Sequence, residues 1–166
     1  SQLVVIDEPF LDDVMASDFP IAPDEAVDLL SSAMAVLEQT ASVGVHCCGD
    51  VDVATLIAAG PQLLSFPVSD AVLPYAGYLD RFVRDGGWIA WGAVATEGPI
   101  AASSARAARR LSALWDELAT RGCDVVGLRR QSLLTPQCGL GGHSVAVTEA
   151  VCAAVREVSI ALSSRS

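Results

Sequence analysis

Two short segments of this 166-residue chain carry the side chains best suited to chemistry, His46-Cys47-Cys48-Gly49-Asp50 and Cys138-Gly139-Leu140. Each follows a run of aliphatic or β-branched residues, Val43-Gly44-Val45 in the first case and Leu133-Leu134 in the second. Imidazole nitrogen and thiolate sulfur are the donors that zinc, a borderline-soft divalent cation, selects. If the two segments converge, His46, Cys48 and Cys138 supply three ligands and leave a fourth position for an exogenous one. That is the pattern of a catalytic zinc site rather than a closed structural one. Taken alone, His46 and Cys48 read more readily as a buried imidazole and a small apolar thiol, because free cysteine packs as a hydrophobe. The remote Cys138 tips the reading towards a metal.

Other residues compete for places in or near such a site. Cys47 alternates away from Cys48 and so points to the core. Cys123 and Cys152 read as packing residues, Cys152 beside the apolar stripe of the last helix. His143 lies five residues beyond Cys138 and is either a fourth ligand or an exposed residue before a helix cap. Asp70 is either a ligand or the N-cap of the helix it precedes, and capping is the commoner role of such an aspartate. The glycines of 139–142 precede a helix as an anion cradle does, yet they carry no phosphate signature. Asp7 and Glu8 close an apolar strand, where they are either loop carboxylates beside Pro9 or substrate-binding acids.

The elements that must position these groups alternate between strand and helix. Short apolar runs predict strands at 3–6, 43–48, 62–66, 88–91 and 133–136. Three-four spacing predicts a helix at 24–39, with Val27, Leu30, Met34 and Leu37 on one face. Further helices are expected after Asp50, which would cap one running to Ala59, and at 69–84 and 101–120. A last helix is capped by Ser144 and striped by Val147, Val151, Val155, Val158 and Leu162. The stretch 122–130 is ambiguous. Strands separated by helices imply right-handed crossovers and a parallel sheet, whose strands carry function at their C-terminal ends. Asp7, Glu8, His46, Cys48, Asp70 and Cys138 all fall there.

Composition narrows the classes. The length suits a single domain, 1–166, and a 52% hydrophobic content fits strands buried on both faces. A net charge of −10 excludes a nucleic-acid partner as the leading idea. The arginines at 106, 109 and 110 read as a solvated helix face. No apolar run reaches the roughly eighteen residues of a membrane span, and no secretory leader pattern is present. Five cysteines without framework spacing then read as thiols in a reducing cytoplasm. The chain opens directly on a strand, which suggests a fragment of a larger protein.

Three motifs in order, Asp7-Glu8-Pro9, His46-x-Cys48-Gly49-Asp50 and Thr135-Pro136-Gln137-Cys138-Gly139-Leu140, carry a family likeness. Together they resemble the C-terminal catalytic domain of cobalamin-independent methionine synthase, above all its short single-barrel relatives. The wider superfamily includes uroporphyrinogen decarboxylase. The resemblance spans most of the chain and implies parallel (βα) units forming the last five strands of a (βα)8 TIM barrel. Five strands do not close an eight-stranded barrel, so the likeness also implies association, either as a homo-oligomer or with the missing half-barrel.

By the same resemblance His46, Cys48 and Cys138 match zinc ligands. Asp7 matches the carboxylate that receives the amino group of homocysteine, with Glu8 as an accessory. Zinc then holds the homocysteine thiolate that attacks a methyl group. Two positions depart from the family. Its fourth ligand, a glutamate at the end of the next strand, falls near Pro67, with Asp70 as the available substitute. Its histidine after the following strand has no counterpart in Trp91-Gly92-Ala93-Val94. A methylated corrinoid protein is therefore expected as methyl donor ahead of methylfolate. The alternatives are a non-catalytic barrel domain of the same superfamily and, behind it, a tetrapyrrole decarboxylase.

Overall fold

The computed structural model describes residues 2–50, 52–98 and 104–164. Five strands, β1 (Gln2–Asp7), β2 (Ala41–His46), β3 (Leu63–Pro67), β4 (Trp88–Val94) and β5 (Ser132–Pro136), form one sheet in sequence order. Every neighbouring pair is parallel. Between and after them run α1 (Pro23–Leu37), α2 (Val53–Ala58), α3 (Ala76–Arg84), α4 (Ser104–Thr120), α5 (Val125–Arg130) and α6 (Val145–Ser163). The result is a curled half-barrel of alternating strands and helices, the α/β architecture expected for part of a TIM barrel.

Alternation along each strand separates two faces. Val43, Val45, Leu64, Phe66, Ile89 and Trp91 point outward and are buried beneath the helices. Phe66 and Trp91 meet edge-to-face at 5.4 Å between ring centres, and the Trp91 indole N–H donates to Ser132 Oγ at 2.8 Å. The opposite, inner face carries Asp7, His46, Ser65, Ala90 and Leu133 as one continuous row in register. On the edge strand the inner side is open: Leu3 and Val5 are 51% and 42% exposed. An edge strand with apolar inner residues resembles a strand built for an internal place in a larger sheet.

Several local expectations shift, each for a physical reason. The helix expected at 69–84 is divided into a 3-10 segment, Asp70–Tyr75, and α3. Pro74 lacks an amide hydrogen and its ring crowds the preceding turn, so an α-helix cannot run through it. The cap of α2 is Asp52 rather than Asp50; Asp52 Oδ1 accepts from the Ala54 N–H at 3.0 Å. The ambiguous stretch 122–130 contains α5, capped by Asp124. Cys152 is exposed, not packed beside the apolar stripe, whose Val151 and Val158 are fully buried. Residues 101–103 of the expected fourth helix lie outside the described residues, and the arginines at 106, 109 and 110 are exposed as expected.

Candidate metal centre

In a flat sheet β2 and β5 would stand about 14 Å apart, three strand spacings. The curl brings their C-terminal ends together over the inner face instead. Cys48 Sγ lies 3.0 Å from Cys138 Sγ and 3.2 Å from His46 Nε2. One donor atom from each residue falls within 4.8 Å of the other two, and all three residues are half-buried. Zinc–sulfur and zinc–nitrogen bonds of normal length in a tetrahedron place two sulfurs about 3.8 Å apart and sulfur and nitrogen about 3.6 Å apart. The observed spacings are shorter by less than 1 Å. The donor set suits a metal ion.

Backbone contacts fix both strand ends. The Glu8 N–H donates to the His46 carbonyl at 2.9 Å, and the Cys47 N–H donates to the Ser65 carbonyl at 3.0 Å. These bonds hold His46 and Cys48 on either side of Cys47, which is fully buried in the core as alternation required. The loop that delivers Cys138 is tied to β4 by the Gln137 N–H, which donates to the Val94 carbonyl at 2.8 Å. Gly92 makes that approach possible, since a Cβ there would lie 2.9 Å from Gln137 Cα and 3.1 Å from Pro67 Cα.

Electrostatics keep the Cys48 thiol neutral without a cation. Burial is the main cause, followed by the Cys138 hydrogen bond and charge and by the charges of Asp7 and Cys47, and together they push its pKa up to about 12. Such a thiol is a weak nucleophile alone and a strong ligand once a divalent cation displaces its proton.

Asp7 stands in register with His46 on the adjacent strand, near enough for its charge to act on Cys48. Glu8 turns elsewhere: its Oε1 accepts from the Phe10 N–H at 3.3 Å and caps the 3-10 turn Pro9–Asp12. It lines an apolar groove of about 780 Å³ between that turn and α1. Asp70 is exposed and outside the group of three; the cap of its segment is Ser69, whose Oγ accepts from the Ala71 N–H. His143 also lies outside the group, with its N–H donating to the Leu140 carbonyl.

Sequence reasoning overlooked Ser65. Its Oγ is 2.8 Å from His46 Nδ1, and the residue is 6% exposed. The signal was a lone hydroxyl on the inner side of an otherwise apolar strand, Leu63–Pro67.

The chain matches no protein-family model and no curated protein.

Proposed function

We propose that this chain is a zinc-dependent methyltransferase-type domain that passes a methyl group to a thiol, with homocysteine as the leading acceptor. The convergence of His46, Cys48 and Cys138 at the C-terminal strand ends carries the reading. In parallel sheets of this kind, ligand sites lie at those ends.

His46, Cys48 and Cys138 would hold the zinc, which when bound lowers the pKa of a coordinated thiol and so favours its thiolate at neutral pH. Three protein donors leave the substrate sulfur a coordination position. Asp7, one strand from His46, offers its carboxylate to the substrate ammonium. Ala93 and Val94, beyond β4's midpoint, supply no proton donor for a folate leaving group. A methylated corrinoid protein, whose leaving group needs no protonation, is the preferred donor.

The open β1 edge supports association with a complementary half-barrel or a second copy. No helix among the described residues is long and apolar enough to cross a membrane. A reducing cytoplasm would keep the five cysteines as thiols.

Pro67 in place of the family's glutamate favours a second reading, a metal-binding domain without catalysis. Zinc content decides the common part: about one zinc per complete site, lost in both Cys48→Ser and Cys138→Ser. Zinc-loaded protein is then incubated with homocysteine and methylcobalamin. Methionine formation supports the enzyme, and zinc without turnover, also in the presence of a complementary half, supports the second reading. Absence of zinc after reconstitution defeats both.

A further inference from the structure

We infer that Ser65 is the positioning residue of the metal centre, holding His46 Nδ1 so that Nε2 is the nitrogen presented to the sulfur pair. The inference rests on the metal-site reading above and adds a residue that the motifs do not contain.

The geometry is specific. Ser65 and His46 are register partners on adjacent strands, and both side chains rise from the inner face. Ser65 Oγ lies 2.8 Å from Nδ1, while Nε2 points the other way, 3.2 Å from Cys48 Sγ. The same residue receives the Cys47 N–H on its backbone carbonyl at 3.0 Å. Ser65 therefore grips the His46 ring through its side chain and the segment between His46 and Cys48 through its main chain.

Chemistry assigns the direction of the side-chain contact once a cation is bound. Ligation through Nε2 uses that nitrogen's lone pair, so the ring proton resides on Nδ1 and donates to Ser65 Oγ. A hydroxyl both donates and accepts. Ser65 can thus hold the ring before loading, when either nitrogen may carry the proton, and after it. Removing the hydroxyl leaves a half-buried N–H without this acceptor and frees the ring to rotate away from Cys48 and Cys138. A neutral partner also preserves charge balance, because two thiolates already neutralise a divalent cation.

The test is metal binding to the full chain. Zinc and cobalt(II) affinities are measured by competition with a chromophoric chelator for wild type, Ser65→Ala and Ser65→Thr. Loss of an outer hydrogen-bond partner of a ligating histidine typically weakens metal binding about 10- to 100-fold. That loss is expected for Ser65→Ala, with altered cobalt absorption bands, and Ser65→Thr should restore affinity to within about threefold. Nitrogen-15 spectra of zinc-loaded wild type supply a readout that needs no variant, and they should show His46 protonated at Nδ1 and metal-bound at Nε2. Ligation through Nδ1, or wild-type affinity and bands in Ser65→Ala, overturns the assignment while leaving the metal site standing. Equal losses in the alanine and threonine variants also overturn it, since packing would then be the cause. A wild type that binds neither metal removes the metal reading and this inference with it.

Discussion

Metal uptake by this site should be coupled to proton release, and the structure sets the size of the effect. Two of the three clustered donors are cysteines, and each must give up its proton to ligate. Burial, the Cys138 contact and the Asp7 charge hold the Cys48 thiol near pKa 12 before loading, so it is protonated throughout the neutral range. If ligation releases one proton from each thiol, the apparent affinity scales with the inverse second power of the proton concentration. One pH unit then changes the zinc dissociation constant about 100-fold, about 2.7 kcal/mol for two protons. Chelator competition at pH 7.0, 7.5 and 8.0 gives the slope, and calorimetry in buffers of different ionisation enthalpy counts the protons independently. Cys138→Ser should bind more weakly, with the slope reduced to about one. A wild-type slope near zero, with fewer than half a proton released, would refute the reasoning: zinc would then be bound by groups other than these thiols.

Three further outcomes follow from named contacts. In metal-free protein the folded chain retains the Cys48 proton between the ordinary pKa of 9.0 and about 12, whereas the unfolded chain loses it. This contribution to stability is therefore intact below pH 9 and is lost as pH rises towards 12. Urea denaturation at pH 8 and pH 10 should differ by about 1 kcal/mol less in Cys48→Ser than in wild type, after allowance for the thiol's partial exposure. An equal pH dependence would be evidence against it; Cys47, Cys123 and Tyr75 shift the same way and are common to both proteins. Gly92→Ala should destabilise the fold by about 1–3 kcal/mol and weaken zinc binding, because both clashing atoms are backbone and one belongs to the Cys138 loop. Gly77→Ala in α3, with no atom within 4 Å of the new Cβ, is the control and should be neutral or slightly stabilising. Asp7→Asn should leave zinc content unchanged and raise the KM for homocysteine in a methyl-transfer assay; an unchanged KM would take Asp7 out of substrate binding.

The elements were legible because their signals are local. Apolar runs such as Leu63–Pro67 and the spacing of Leu30 and Met34 in α1 report burial directly. Pro74 marked a break that the periodicity around Leu73 and Leu79 concealed, since the residues on both sides of it still face the core. Cys152 was misplaced because a residue one step from Val151 on a helix is turned by about 100°, enough to leave the stripe. The triad was legible only in outline. Residue type and strand-end position nominate His46, Cys48 and Cys138, but no local pattern states that β2 and β5 meet across two intervening strands. Ser65 escaped for the same reason: its partner is local in register and nineteen residues distant in sequence.

That meeting across the sheet would tie a bound metal to the architecture. A closed barrel fixes its curvature through the hydrogen bonds of its first and last strands, whereas here β1 and β5 are the two edges of the sheet. The curl must therefore come from strand twist, from the helices on the outer face and from whatever links the strand ends. Cys48 and Cys138 approach within 3.0 Å from strands that a flat sheet would hold far apart. A metal bound by both would resist flattening, and strands that flatten would pull the ligands off the metal. Ser65 and Gly92 belong to the two intervening strands, one hydrogen-bonded to the His46 ring and the other admitting the loop that carries Cys138. All five strands thus contribute to the site or its approach. Curvature and metal affinity would then be one coupled property, so completing the sheet at the β1 edge should tighten metal binding without adding a ligand.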